Sequence, residues 1–185
     1  MTKLLLALPL IMLAACDSSP KVDVDNAKPS EVAEKMRDAV GDETFVRPGK
    51  WLSTVTVQDM TVPGMPPEFA ARMKGTMAKE RQVETCLTAE QAKRPTGDFF
   101  AADKNCTYDH FEMSSGKIDA SMRCAHEGMS QVITMQGSYR PDEYQMTMST
   151  RMEGTGRQSG ATMKMHVAAK RIGDCAAPAE TGAAN

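Results

Sequence analysis

Tyr144-Gln145-Met146-Thr147-Met148-Ser149-Thr150-Arg151-Met152 alternates with a period of two. Met146, Met148, Thr150 and Met152 fall on one side, and Gln145, Thr147, Ser149 and Arg151 on the other. That is the pattern of a strand with one face buried and one face in water. The next segment repeats it: Met163, Met165, Val167 and Ala169 oppose Thr162, Lys164 and His166. Between the two runs lies Glu153-Gly154-Thr155-Gly156-Arg157-Gln158-Ser159-Gly160, a glycine-rich stretch that reads as a hairpin connection.

Moving toward the N-terminus, the same signal recurs. Ser130 to Tyr139 predicts a strand that turns at Arg140-Pro141-Asp142. Lys117 to Cys124 places Ile118, Ala120, Met122 and Cys124 on one face, and Cys106 to Met113 precedes it through a Ser114-Ser115-Gly116 turn. Lys79 to Cys86 reads as another strand. Farther upstream, Trp51, Ser53, Val55 and Val57 alternate with Leu52, Thr54, Thr56 and Gln58 after the turn residues Arg47-Pro48-Gly49-Lys50. The last strand runs from Ala161 to about Arg171. The expected fold is mainly β (α+β): about seven antiparallel strands as a curved sheet or barrel-like meander, with two or three short helices.

Three stretches carry helical signals. Ser30 is a candidate cap for a helix from Glu31 to Val40, in which Val32, Met36 and Val40 form one narrow apolar stripe and Gly41 is the stop. After the break at Pro63-Gly64-Met65-Pro66, proline at a first helical position suits a helix from Pro67 to Met77, with Phe69, Ala70, Met73 and Met77 on its buried face. Thr88-Ala89-Glu90-Gln91 is a capping-box pattern opening a short helix that Pro95 and Gly97 close.

The N-terminus states where the chain works. Lys3, an apolar run from Leu4 to Leu13, and then Leu13-Ala14-Ala15-Cys16 match an export signal. The run is too short to span a bilayer, which takes about 20 apolar residues. A cysteine directly after Leu-Ala-Ala resembles the lipobox of bacterial lipoproteins, in which residues 1–15 would be removed and Cys16 would carry the acyl lipid. Residues 16–29 then read as the lipidated cysteine and a flexible tether, 30–41 as a short amphipathic helix, 44–175 as the folded domain and 176–185 as a disordered tail. The expected location is the cell envelope, with the domain anchored to a membrane and facing the periplasm.

That location governs the other cysteines. Cys86, Cys106, Cys124 and Cys175 form an even set, and an exported chain meets oxidising conditions, so they read as two disulfides. Cys106 and Cys124 flank one hairpin at similar distances from its turn, which makes a cross-strand bridge easy. Cys86 and Cys175 then join two strand ends. A zinc site is the weaker alternative, because neither a C-x-x-C nor an H-x-x-x-H pair occurs.

The ordered set Pro48-Gly49-Lys50-Trp51, Pro63-Gly64-Met65-Pro66, Val83-Glu84-Thr85-Cys86-Leu87-Thr88, the Met-rich strands and the ending Arg171-Ile172-Gly173-Asp174-Cys175 resembles a proteobacterial envelope family. That family is known only as a domain of unknown function. The resemblance covers about Thr44 to Cys175. It implies an exported domain with paired cysteines, and it brings no activity, substrate or catalytic residue.

Composition narrows the function further. The chain has 22 basic and 24 acidic residues, and no basic cluster with interleaved aromatics, so nucleic acid is not an expected partner. No G-x-S-x-G occurs, and the three histidines, His110, His126 and His166, are scattered. Neither a cofactor nor enzyme activity is expected. Methionine, at 16 residues, is the compositional outlier. Soft thioethers at Met146, Met148, Met163 and Met165 suit Cu(I). Their alternation favours the filling of an irregular core instead, and the same faces are alternatively the wall of a cavity for an apolar ligand. The expectation is a non-enzymatic binding or interaction module with a membrane contact through Cys16. Its partner is an envelope protein or, alternatively, an apolar ligand or lipid; Met-based copper handling or an unrecognised enzyme is a further alternative.

Overall fold

The computed structural model describes residues 20–41, 44–93, 105–126, 128–155 and 159–175. The elements in chain order are β1 (Val22–Ala27), α1 (Pro29–Val40), β2 (Gly49–Thr61), α2 (Pro67–Met77), β3 (Arg81–Leu87) and α3 (Ala89–Lys93). A run of strands follows: β4 (Cys106–Ser114), β5 (Lys117–His126), β6 (Met129–Arg140), β7 (Glu143–Gly154) and β8 (Thr162–Gly173).

All eight strands form one open antiparallel sheet in the order β1-β4-β5-β6-β7-β8-β2-β3. Its centre is the meander from β4 to β8, in which every neighbour in sequence is a neighbour in space. Turn chemistry sets the register. Ser114 pairs with Lys117, and the two residues between them, Ser115 and Gly116, have φ of 48° and 72°. Two successive left-handed residues make the mirror-image turn whose twist suits a two-residue hairpin. The β6–β7 hairpin closes as tightly, with Arg140 opposite Glu143.

The strand count corrects the sequence reading. The segment expected to be part of a tether, residues 16–29, contains β1, which pairs with β4 from Val22↔Met113 to Ala27↔Tyr108. Seven expected strands become eight. The signal was present in Lys21-Val22-Asp23-Val24-Asp25, since Val22 is buried and Val24 half-buried while Asp23 and Asp25 face water. The sheet also does not close into a barrel: among the described strands β1 and β3 are its two edges.

Helix α1 starts two residues before its expected first residue, at Pro29, the position where a missing N–H costs nothing. The Lys28 amide donates to the Glu31 carboxylate at 2.6 Å, so the cap is Lys28 rather than Ser30. Val32, Met36 and Val40 are the buried stripe. The α3 capping box forms as the sequence suggested, with the Gln91 amide donating to Thr88 Oγ1 at 3.2 Å and the Thr88 amide to Gln91 Oε1 at 2.9 Å. Helix α2 has its expected bounds but no buried residue, and Phe69 is 58% exposed. The Lys74 ammonium holds it to β2 through Asp59 at 2.7 Å.

The core lies at one side of the sheet. Tyr108, Phe111, Met113, Ile118, Ala120, Met122, Ile133 and Met135 of β4, β5 and β6 pack with Val22 and with Val32 and Met36 of α1. Each large apolar side chain buried there stabilises the fold by about 1.5–3 kcal/mol. The structure pairs Cys106 with Cys124, inside this core, and Cys86 with Cys175, which ties β3 to the end of β8. These are the two bridges favoured from the strand order.

Candidate functional site

Register shows how far the apolar face extends. One row runs Val24–Phe111–Ala120–Met135–Met148–Met165–Val57 from β1 to β2. The neighbouring row runs Val22–Met113–Ile118–Gly137–Met146–Val167–Val55. Residues directly opposite one another share a face. The sheet therefore has one continuous apolar face. Its β1–β6 side is buried, but Met146, Met148, Met163, Met165, Val55, Val57 and Val167 are only half-buried.

On that face, at the end bearing the β4–β5 and β6–β7 turns, lies a groove of about 470 Å³. Met36 of α1, Trp51 of β2, Leu87 of β3, Ala92 of α3, Met113 of β4, Ile118 of β5 and Met146 of β7 line it, together with Phe45 and Val46. None of the described lining residues carries a charge; the polar ones are Ser53, Thr85, Gln91, Ser138, Tyr139, Tyr144 and Gln145. The wall is built from aromatics held in place. The Trp51 and Tyr144 rings lie 5.7 Å apart, and the Trp51 indole N–H donates to the Arg47 carbonyl at 3.0 Å. Phe45 meets Tyr139 edge-on at 5.7 Å.

The segment that carries Phe45 and Val46 is fixed from both sides. The Arg47 guanidinium bonds Asp142 of the β6–β7 turn at 2.9 Å, and the Arg47 amide donates to the Pro141 carbonyl at 2.7 Å. Arg171 Nε donates to the Pro48 carbonyl at 2.8 Å, and its guanidinium also pairs with Asp174. The Cys86–Cys175 disulfide holds the end of β3, and with it Leu87, at the same wall.

A second, shallower concavity of about 920 Å³ adjoins this groove around the β6–β7 hairpin. Pro20, the first described residue, lies on its edge with Ser115 and Gly116.

The structure brings the four methionines singled out from sequence together and leaves His110 and His166 apart from them. Met148 stands opposite Met165, Met146 opposite Val167 and Met163 opposite Thr150, all on the apolar face. His166 is on the other face, with its Nδ1 3.3 Å from Thr147 Oγ1. His110 is also on the polar face, 2.9 Å from the Asp25 carboxylate, which raises its pKa above the ordinary histidine value. Among the described residues no group of three or more His, Cys, Asp or Glu side chains is placed to hold a metal ion. The four half-cystines Cys86, Cys106, Cys124 and Cys175 are structural. Cys16 lies outside the described residues. Sequence reasoning missed Trp51, Tyr144, Phe45, Leu87 and Ala92 as parts of one wall, because no periodicity within a strand reports which distant strands share a groove.

Fold and site together define a class: a disulfide-bonded, mainly β domain with an uncharged groove on the apolar face of one open sheet. The chain belongs to the family described as Protein of unknown function (DUF3617), whose pattern matches residues 46–175. No curated protein and no solved structure matches the chain. The family match begins after β1 and α1, although both elements help to build the core.

Proposed function

We propose that this protein is a non-enzymatic binding module of the bacterial cell envelope, anchored through a lipid on Cys16, that takes an apolar ligand into the groove beside Trp51. The groove carries the reading. Its volume of about 470 Å³ falls within the range of small-molecule sites, roughly 300–1,000 Å³. Its described lining combines aromatic and thioether side chains with no charge, a surface that adapts to varied apolar shapes. Export is supported by Leu13-Ala14-Ala15-Cys16 and by two disulfides, which persist in oxidising compartments. Pro20 sits on the rim of the adjoining concavity, and the four residues back to Cys16 span at most about 14 Å. A lipid on Cys16 would thus keep this end of the sheet close to the membrane.

Trp51 is the only tryptophan and lines the groove, so it reports on the site. The full chain carrying Cys16→Ser, which leaves no site for the lipid, is titrated with 1-dodecanol while tryptophan emission is followed. A saturable change that Met146→Arg removes is expected. An emission spectrum unchanged up to the solubility limit of the alcohol contradicts the reading.

A second reading, a module that docks another envelope protein, draws on the free edge of the sheet. No described strand pairs with the outer side of β3, and Val83 on it is 48% exposed. An exposed edge strand is a template for pairing with a further strand. Photocrosslinking from position 83 in cells tests it, with a single discrete adduct as its expected result.

A further inference from the structure

Several hydrogen-bonding groups of the groove are already engaged. The Trp51 indole N–H donates to the Arg47 carbonyl, and Gln91 Oε1 accepts the Thr88 amide in the α3 capping box. Ser138 and Gln145 bond each other at 3.3 Å. Ser53 and Thr85 differ: no described residue hydrogen-bonds either hydroxyl. Ser53 is 9% exposed and, tyrosine aside, is the one buried polar residue among those described. A buried hydroxyl without a partner costs free energy. The register puts both hydroxyls on the face that carries the groove. Ser53 pairs with Ala169, which pairs with Tyr144, and Thr85 pairs with Trp51. As diagonal neighbours on adjacent strands, Ser53 and Thr85 stand roughly 7–8 Å apart.

We propose that the groove selects a molecule with an uncharged headgroup, a hydroxyl, ester or amide, held by the Ser53 and Thr85 hydroxyls, with its apolar chain against Met36, Met113 and Ile118. The proposal deepens the reading of the groove as an apolar-ligand site and rests on it. The two walls differ in chemistry. Ser53 and Thr85 come from β2 and β3, whereas α1, β4 and β5 contribute only apolar side chains to the lining. Hydroxyl partners for a headgroup therefore stand at the β2–β3 wall. Each serine or threonine hydroxyl both donates and accepts, so the pair suits an alcohol, an ester carbonyl or an amide. One such group spans the two side chains with O···O distances of about 2.8 Å. An ionised acid would leave water with no described cation in the lining to balance it.

The test follows Trp51 emission of the Cys16→Ser chain at about pH 8, where a carboxylic acid is ionised. Three probes are compared: 1-dodecanol, dodecanoate and 1-chlorododecane, which lacks the hydroxyl. Dodecanol binds at least about tenfold tighter than dodecanoate. Ser53→Ala weakens dodecanol about fivefold, the worth of one neutral hydrogen bond, and leaves 1-chlorododecane as before. Thr85→Val, at an exposed position, gives the same selective loss and carries the test if Ser53→Ala fails to fold. Dodecanoate binding as tightly as dodecanol overturns the preference for an uncharged headgroup. A loss shared by 1-chlorododecane, or no loss for dodecanol, overturns the role of the hydroxyls and leaves the groove standing. Binding of none of the three overturns the groove reading itself.

Discussion

Met113 and Leu87 line the same groove, although their strands, β4 and β3, stand second and eighth in the sheet. Six strand spacings in a flat sheet would separate them by roughly 29 Å, too far to share one groove of about 470 Å³. The sheet is therefore strongly curled, with its apolar face inward. Curling without closure leaves an apolar hollow, which among the described helices α1 fills on the β1–β4 side. The site is a consequence of that incomplete filling.

The disulfides should separate stability from site geometry. Cys86–Cys175 closes a loop of 89 residues and Cys106–Cys124 one of 18. In the chain-entropy account their loss costs about 4–5 and about 3 kcal/mol. Cys86→Ala/Cys175→Ala is expected to weaken dodecanol binding as well, since it frees the end of β3 that carries Leu87. Cys106→Ala/Cys124→Ala is expected to lower the urea midpoint and spare binding, because that bridge lies outside the groove lining. Equal effects of the two on binding would contradict the assignment of Leu87 to the wall.

Gly137 is expected to reject even alanine. A Cβ there would overlap the Gln145 carbonyl oxygen and crowd Met146 Cα at 3.0 Å, both backbone atoms of β7. Gly→Ala at a compatible site stabilises by roughly 0.4–1 kcal/mol. Gly137→Ala should instead destabilise by about 1–3 kcal/mol, the usual range for overpacking. Chemical denaturation checks the sign.

Tyr108 carries a polar atom the core does not use. Among the described residues its hydroxyl is buried without a hydrogen-bond partner, and burial pushes the phenol up to about 12. Tyr108→Phe keeps the edge-on contact with Phe111 at 5.4 Å and removes an unsatisfied donor. The expected outcome is no loss of stability, or a gain of up to about 1 kcal/mol. A clear loss in the thermal midpoint would show that the hydroxyl is satisfied.

The hold of β1 on β4 is expected to weaken with rising pH. The hydrogen bond that the His110 ring N–H donates to Asp25 raises the His110 pKa, and the Asp25, Asp119 and Asp23 charges add to it against slight burial. A raised folded-state value means that the contribution is complete below the ordinary histidine pKa of about 6.5 and fades as pH climbs through the raised value. Both side chains are substantially exposed, so the effect is small. Amide exchange in β1, corrected for intrinsic rates, should quicken as pH climbs from about 6.5 through the raised value, and Asp25→Asn should flatten that dependence.

Met148 and Met165 face each other across β7 and β8, and both histidines with described side chains lie on the opposite face. Replacing Met146, Met148, Met163 and Met165 with leucine should cost less than about 1.5 kcal/mol per site. Isothermal titration with Cu(I) checks the alternative: tight binding abolished by these changes would make the methionines ligands rather than wall.

The meander was legible because period two persists through β4–β8 and the turns carry glycine or proline where hairpins need them. Both disulfides followed from that order. Two features were harder to read. β1 was hidden by its brevity and by aspartates at every other position, although Val22 and Val24 alternate with them. The α2 stripe of Phe69, Met73 and Met77 has helical spacing, but the helix lies at the sheet's end where nothing buries it. The groove could not be read at all, because its wall joins residues from Met36 to Met146 through sheet curvature, a property of the whole array.

Native mass spectrometry of the full chain, exported to the periplasm as Cys16→Ser and purified without detergent, tests the central claim most directly. The account expects a peak heavier than the disulfide-bonded polypeptide by the mass of one apolar ligand, lost on denaturation. A bare polypeptide mass that stays bare after incubation with dodecanol, dodecanoate and dodecyl phosphate would contradict it.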